Sequence, residues 1–267
     1  MINCKEISNK YKNELKEYIK SNKLNIGLAV IQVGNDPASN SYIKGKRTDC
    51  EEVGIKFRHI HYDDAVKTNE IIEMIESLNT NDDISGIIVQ LPLPRHLNQD
   101  KILNSIADEK DVDGFKSYSK FVSCTPGGIM MILKYINIDV DGMVCCVIGR
   151  GHVGRPMVDL LTRHNATVIW CNSHTNSSTL KHMIESSDII ISATGKAGLI
   201  NNVPSGKIVI DVGISRGEDG KLYGDVNKDC YNDTALITPV PGGVGLMTRV
   251  ALLKNVVMAA ENLLTNM

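Results

Sequence analysis

Tyr42 and Lys46 stand four residues apart on one predicted helix, so they share a face. Most helical lysines are solvated, and a Tyr–Lys pair alone is usually packing. Two features raise the pair above that. The helix starts straight after a strand, at the carboxyl edge of a sheet. Gly45, beside Lys46, sits in a helix interior at a cost of about 1 kcal/mol, which a need for space would explain. A lysine in a dry cleft beside a tyrosine hydroxyl can move protons at neutral pH, because desolvation lowers a lysine's pKa. Gln90 ends a buried apolar run at the same sheet edge, either as a plain strand terminus or as a ligand contact. Asp111 and Asp113, in Glu109-Lys-Asp-Val-Asp-Gly114, read on their own as an acidic turn.

A second group begins where the apolar run Met143–Ile148 stops. Gly149, Gly151 and Gly154 have the spacing G-x-G-x-x-G, followed by the helical apolar pattern of Val158, Leu160 and Leu161. Strand, glycine turn and helix together form the context of a dinucleotide site. Gly149 permits the turn, Gly151 permits close approach of a pyrophosphate, and Gly154 lets helix and strand pack. The helix start supplies free N–H groups and a favourable dipole. NAD-type sites carry an acid at the end of the next strand. Here that strand ends Cys171-Asn-Ser-His174, without one. Arg150 inside the turn and Ser173 at the strand end suit a 2′-phosphate, which favours NADP over NAD. The alternative is a solvated arginine and a turn serine. The stretch Pro239-Val-Pro-Gly-Gly-Val-Gly245 has a fixed path and few side chains, as a ligand-bordering loop or a tight crossover requires.

The elements that must position these residues alternate. Helical spacing covers 5–20, then strand 26–33, a helix capped by Ser39 and stopped by Gly54, strand 55–62, helix 69–78, strand 84–91 and helix 97–106. Thr125-Pro126 starts a helix that ends near Ile136. Beyond it come strand 143–149, helix 153–164, strand 167–171, helix 178–186, strands 188–193 and 207–213, a turn at Asp219-Gly220, strand 237–240 and a final helix. Leu252, Leu253, Val256, Val257, Ala260, Leu263 and Leu264 form that helix's apolar side. This predicts an α/β protein of two α/β domains, the second a Rossmann-type dinucleotide-binding domain. The domains fall at 1–119 and 120–247, with the C-terminal helix 248–267 returning to the first, and a cleft between two such units is a natural ligand site.

Bulk properties narrow the function. The 267 residues carry a net charge of −2, with no one-sign field for nucleic acid or an anionic membrane. Seven irregularly spaced cysteines argue against a disulfide framework, and none joins histidines at zinc-site spacing, so no metal is expected. No apolar run is long enough to span a bilayer, and Met1-Ile-Asn-Cys-Lys-Glu6 lacks the apolar stretch of a signal peptide, so a cytoplasmic protein is expected.

Five stretches, in order along nearly the whole chain, resemble the bifunctional methylenetetrahydrofolate dehydrogenase/methenyltetrahydrofolate cyclohydrolase family. They are Val33-Gly-Asn-Asp-Pro-Ala-Ser-Asn-Ser-Tyr-Ile-Lys-Gly-Lys46, Gly86-Ile-Ile-Val-Gln-Leu-Pro-Leu-Pro94, Glu109–Gly114, Cys124-Thr-Pro126 and Ile237–Gly245. The resemblance implies oxidation of 5,10-methylenetetrahydrofolate with NADP⁺, then hydrolysis of the methenyl product to 10-formyltetrahydrofolate. It implies Lys46 as cyclohydrolase catalyst, Tyr42 orienting the folate, Gln90 bonding near Lys46 and helping keep it uncharged, and Asp113 anchoring the pterin. Leu91, Gly242 and Gly243 would border the folate, and Gly149, Arg150, Gly151, Ser173 and Ile214 the cofactor. Tetrahydrofolate derivatives and a second copy of the chain, in a homodimer, are the implied partners. The chain departs from the family in a glycine turn one residue shorter, in Asn172 before Ser173, and in Leu246 where a proline is usual. Two other readings remain at this level, a dehydrogenase without cyclohydrolase activity and an inactive nucleotide-binding regulator.

Overall fold

The structure, a computed structural model, describes residues 1–116, 118–232 and 234–265, with side chains up to Glu261. The order begins α1 (Cys4–Ser21), β1 (Gly27–Val33), α2 (Pro37–Val53), β2 (Lys56–Tyr62), α3 (Thr68–Asn79), β3 (Gly86–Val89), α4 (Gln99–Asn104) and α5 (Cys124–Tyr135). It continues β4 (Val144–Ile148), α6 (Gly154–Arg163), β5 (Thr167–Cys171), α7 (Ser177–Glu185), β6 (Ile189–Ser192), β7 (Ile208–Asp211), β8 (Ser215–Arg216), β9 (Leu222–Tyr223), a 3₁₀ turn at Lys228–Asn232, β10 (Leu236–Ile237) and α8 (Val244–Thr265). The chain divides into two compact units, one of Asn9–Cys124 with Arg249–Met267, the other of Met1–Ser8 with Thr125–Thr248.

The first unit holds a parallel sheet of order β2-β1-β3. Central β1 is buried along its whole length, as expected where helices cover both faces of a parallel sheet. Ile31, Ile71, Ile75, Ile87 and Ile102 close the core between this sheet, α3 and α4. Helix α2 starts two residues before the expected cap. Asp36 is the cap, its carboxylate accepting from Ser39 N at 2.7 Å, because Pro37 is preorganised for the first helical position. Gly54, at φ 93°, ends the helix in the left-handed conformation, as expected. Helix α8 returns to this unit and buries Val250, Leu252, Leu253, Val256, Val257 and Ala260. Leu263 and Leu264 lie outside the described side chains.

The second unit holds a five-stranded parallel sheet, order β10-β7-β6-β4-β5. Counted within the unit this is 2-1-3-4-5, a doubly wound sheet whose order reverses between β4 and β6, one strand earlier than in the six-stranded order 3-2-1-4-5-6. Such a reversal leaves a crevice at the strands' carboxyl ends, where ligands of open α/β sheets bind. β10 stops at Ile237, short of the expected 240, because Pro239 and Pro241 have no N–H for the ladder. Helix α5 begins at Cys124, which puts Pro126 in its first turn. All seven cysteines are buried and free. Among the described residues no helix is long and apolar enough to cross a membrane, and no cluster of His, Cys, Asp or Glu could hold a metal ion.

A proton-transfer site and a glycine cradle

In the first unit, three elements bring Tyr42, Lys46, Gln90, Leu91 and Asp113 to the carboxyl edge of the sheet. Lys46 lies on the inner face of α2, in line with Ile43, Asp49, Cys50 and Val53, and is only 9% exposed. Its Nζ donates to Gln90 Oε1 at 3.0 Å. The Gln90 amide is oriented in turn, since its Nε2 donates to Leu91 O at 2.8 Å. The oxygen that faces Lys46 is therefore fixed, and it accepts an N–H whether the amine is charged or neutral. Tyr42 stands one turn earlier and is 39% exposed, so its ring is free to meet a ligand.

The Asp113 loop is bound to β3, the strand that leads to Gln90. Ile87 N donates to Lys110 O at 2.9 Å, and a side chain on Gly86 would meet Val112 Cγ2 at 2.7 Å. Buried Lys110 donates to the carbonyls of Leu78 and Asn81, at 3.0 and 2.8 Å. From α8, Asn255 Nδ2 donates to Val112 O and Val122 O, both at 2.9 Å. The loop is thus more than an acidic turn. Its two aspartates differ: Asp111 is buried, and burial raises its pKa, whereas Asp113 is half-buried. The fully buried Cys124 thiol joins the group. Its pKa is well raised, by burial first and then by the Asp113 carboxylate it hydrogen-bonds, while the Lys46 charge opposes the rise. One buried thiol thus feels both Asp113 and Lys46. Sequence reasoning missed Cys124 because it reads as an apolar residue at a helix start.

In the second unit, the three glycines do different steric work. A Cβ on Gly149 would lie 2.4 Å from Ala193 O, so the turns after β4 and β6 touch only because it is absent. A Cβ on Gly154 would lie 2.1 Å from Gly149 O, which explains a glycine at the first residue of α6. Nothing stands within 4 Å of a Cβ on Gly151. That position is open and α6 has no side-chain cap; Arg155 N donates to Gly151 O at 3.2 Å and Pro156 has no N–H, so the backbone left to meet a pyrophosphate is that of the turn and of Gly154. Arg150 stands in this turn, Ser173 follows β5 and Ile214 follows β7, and all three are exposed. The residues fit a dinucleotide phosphate.

The loop after β6 is fixed from below. Asp225, fully buried, accepts from Ser192 Oγ at 2.7 Å, Thr194 N at 2.7 Å and Lys196 N at 2.8 Å. Asp211 in turn accepts from the N–H groups of Asp225 and Val226, each at 3.0 Å. Burial pushes the Asp211 carboxyl up to about 6. Neither aspartate was singled out from the sequence, although Asp211-Val-Gly and Gly-Asp225-Val carried a signal in their glycines. A side chain on Gly213 or Gly224 would overlap a carboxylate. Gly242 and Gly243 also belong to this unit. Gly242, at φ 90°, has open space beside it, and a Cβ on Gly243 would meet Pro239 O at 2.1 Å.

Residues 2–113 match the family described as tetrahydrofolate dehydrogenase/cyclohydrolase, catalytic domain, and residues 123–264 match its NAD(P)-binding domain. The bifunctional protein FolD of Agathobacter rectalis is 46% identical, covering 98% of this chain and 99% of its own length. The crystal structure of the bifunctional FolD dehydrogenase/cyclohydrolase of Campylobacter jejuni is 43% identical, with a TM-score of 0.93 over 98% of each chain. The Trypanosoma brucei FolD, solved with NADP cofactor and inhibitor, is 29% identical, with a TM-score of 0.87 over 98% of this chain and 95% of its own.

Proposed function

Because the chain belongs to the tetrahydrofolate dehydrogenase/cyclohydrolase family, we propose that the Lys46 constellation is where its folate chemistry takes place. The chain is a bifunctional enzyme of one-carbon metabolism. It oxidises 5,10-methylenetetrahydrofolate to the 5,10-methenyl form with NADP⁺ and hydrolyses that form to 10-formyltetrahydrofolate.

The observation that carries the site assignment is the Lys46–Gln90 bond in a cage that also holds Asp113. When bound, NADP⁺ supplies the acceptor for the hydride. The protein's part in that step is orientation, because the cation left behind is already shared by two nitrogens. Tyr42 stacks on and aligns the folate, Leu91 borders it, and Asp113 accepts N–H groups from the pterin's amide-like edge. Gly242 and Gly243 border the folate as well. Gly149, Arg150, Gly151, Ser173 and Ile214 hold the nucleotide.

Hydrolysis needs proton transfers, and Lys46 is the group placed to make them. Water adds to the methenyl carbon, and the Lys46 amine takes the proton that this water loses. The carbon–N5 bond then breaks as N5 receives that proton from Lys46, the hydroxyl's remaining proton leaves to solvent as the carbonyl forms, and the formyl group stays on N10. Gln90 keeps the amine aimed throughout.

Residues 1–119 with 248–267 form the folate-binding catalytic domain in this reading, and 120–247 the NADP-binding domain. The enzyme is a cytoplasmic homodimer, and its formyl product serves purine biosynthesis. The test is a paired progress curve on 5,10-methylenetetrahydrofolate with NADP⁺ and with NAD⁺, following methenyl and reduced-cofactor signals together. Reduced cofactor should form faster with NADP⁺ and without methenyl build-up. Methenyl accumulation would refute the cyclohydrolase assignment, and no reduced cofactor with either nucleotide would refute the whole reading.

A further inference from the structure

Two arginines share one aromatic ring at the edge of the glycine cradle. The guanidinium carbons of Arg150 and Arg155 lie 5.0 and 5.7 Å from the centroid of Trp170, the chain's only tryptophan. The ring is itself fixed, because its indole N–H donates to Gly149 O at 2.7 Å. Both arginines are exposed, and neither makes an ion pair among the described residues. Like charges held together repel. The indole ring offsets part of that repulsion, and an anion reached by both guanidinium groups would remove the rest.

The position of the ring says which anion. The open Gly151 turn and Gly154 at the start of α6 let a pyrophosphate approach the backbone without help from a side chain. Trp170 belongs to the neighbouring strand β5, one residue before its end and three before exposed Ser173. In doubly wound sheets the end of that strand faces the adenosine ribose hydroxyls. A 2′-phosphate there is a dianion, and two guanidinium groups match its charge.

We propose that Trp170 is the positioning residue for nucleotide choice: its ring gathers Arg150 and Arg155 into a two-cation receptor for the ribose 2′-phosphate. The proposal rests on the reading of the glycine cradle as the nucleotide site. It makes the discrimination against NAD depend on a side chain that need not touch the nucleotide, and it gives Arg155 a part in binding.

The test is calorimetric titration of the full chain with adenosine 2′,5′-bisphosphate and, separately, with 5′-AMP. The wild type should bind the bisphosphate at least tenfold more tightly. Trp170→Leu should weaken the bisphosphate about tenfold and 5′-AMP less than twofold, the size expected of two disrupted cation–π contacts. Trp170→Phe keeps a ring face and should restore most of the difference. Arg155→Gln, an exposed change that leaves the ring in place, should weaken the bisphosphate alone. Equal weakening of both ligands by Trp170→Leu, or an unchanged bisphosphate affinity in Arg155→Gln, would overturn the proposal while the cradle reading stands. A wild type that binds neither ligand would overturn both.

Discussion

Arg249 Nε donates to Asp49 Oδ2 at 2.5 Å, and its guanidinium occupies the space that a side chain on Gly45 would need. A Cβ on Gly45 would lie 2.6 Å from Arg249 Nη1. The glycine beside Lys46 therefore makes room for a cation from α8. Lys12 completes the group, donating to Asp49 at 3.2 Å and to Glu52 at 2.5 Å. The network ties α2, which carries Tyr42 and Lys46, to α1 and α8.

This relationship predicts a change of sign. Alanine for glycine in a helix interior is worth about 1 kcal/mol of stability. In the wild type, Gly45→Ala should instead destabilise by about 1–2 kcal/mol, since it displaces Arg249 and leaves Asp49 with Lys12 alone. In an Arg249→Met background the obstruction is gone, and the same Gly45→Ala should stabilise. Thermal unfolding of the four proteins measures this directly. The same sign in both backgrounds would refute the account of Gly45.

Lys46→Met should separate the two activities. Hydride transfer depends on orientation, so the dehydrogenase rate should stay within a few-fold. The cyclohydrolase loses its proton carrier and should fall by at least a hundredfold, the lower end of the usual general acid–base contribution. Stopped assays on methylene- and methenyltetrahydrofolate report the two rates separately. A parallel loss of both would mean that Lys46 binds folate and does not move protons.

Asp113→Asn should act on folate binding. The substitution keeps the shape but replaces one acceptor oxygen with a donor, which then faces a pterin N–H. An unmatched pair of this kind costs about 1–3 kcal/mol, so the KM for methylenetetrahydrofolate should rise about ten- to a hundredfold. The KM for NADP⁺ should not move. Initial-rate kinetics with each substrate varied in turn decide the matter, and a rise in both constants would indicate a distorted loop.

How far the site could be read in advance depended on the range of its interactions. Tyr42 and Lys46 were legible because helical spacing puts residues four apart on one face, and the cradle glycines because strand, turn and helix are contiguous. The parallel α/β layering followed from the alternation of periodicities in the same way. Arg249 was not legible, since its partner Asp49 is 200 residues away and no local pattern announces the pair. Trp170 looked like one more apolar strand residue, and only the register of β4 against β5, which pairs Val147 with Trp170, brings it beside the glycine turn. The Ser39 cap failed for a local reason, because Asp36 followed by proline is the stronger helix start.

Asp211 should titrate far from an ordinary aspartate, and the consequence for stability has a definite sign. Its carboxyl is 1% exposed, and burial, with the Asp225 carboxylate adding to it, pushes the pKa up to about 6, although N–H groups of Gly213, Asp225 and Val226 pull the other way. Between an unfolded value of about 3.9 and that folded value, the folded chain holds the proton more often than the unfolded one. Stability from this group is therefore fully present below pH ~4 and is lost as pH rises through about 6, by an amount on the order of 3 kcal/mol. The carboxylates Asp36, Asp108, Glu109 and Asp219, whose partners hold them low, act in the opposite sense and only at lower pH. Carbon-13 NMR of the aspartate carboxyls should show one midpoint near 6 that Asp211→Asn abolishes. The melting temperature of the wild type should fall between pH 4.5 and 6.5 relative to that of Asp211→Asn, which stays neutral at this position throughout. Parallel melting curves for the two proteins, with no high midpoint in the wild type, would show that the carboxylate is stabilised where it lies and that its three N–H donors outweigh its burial.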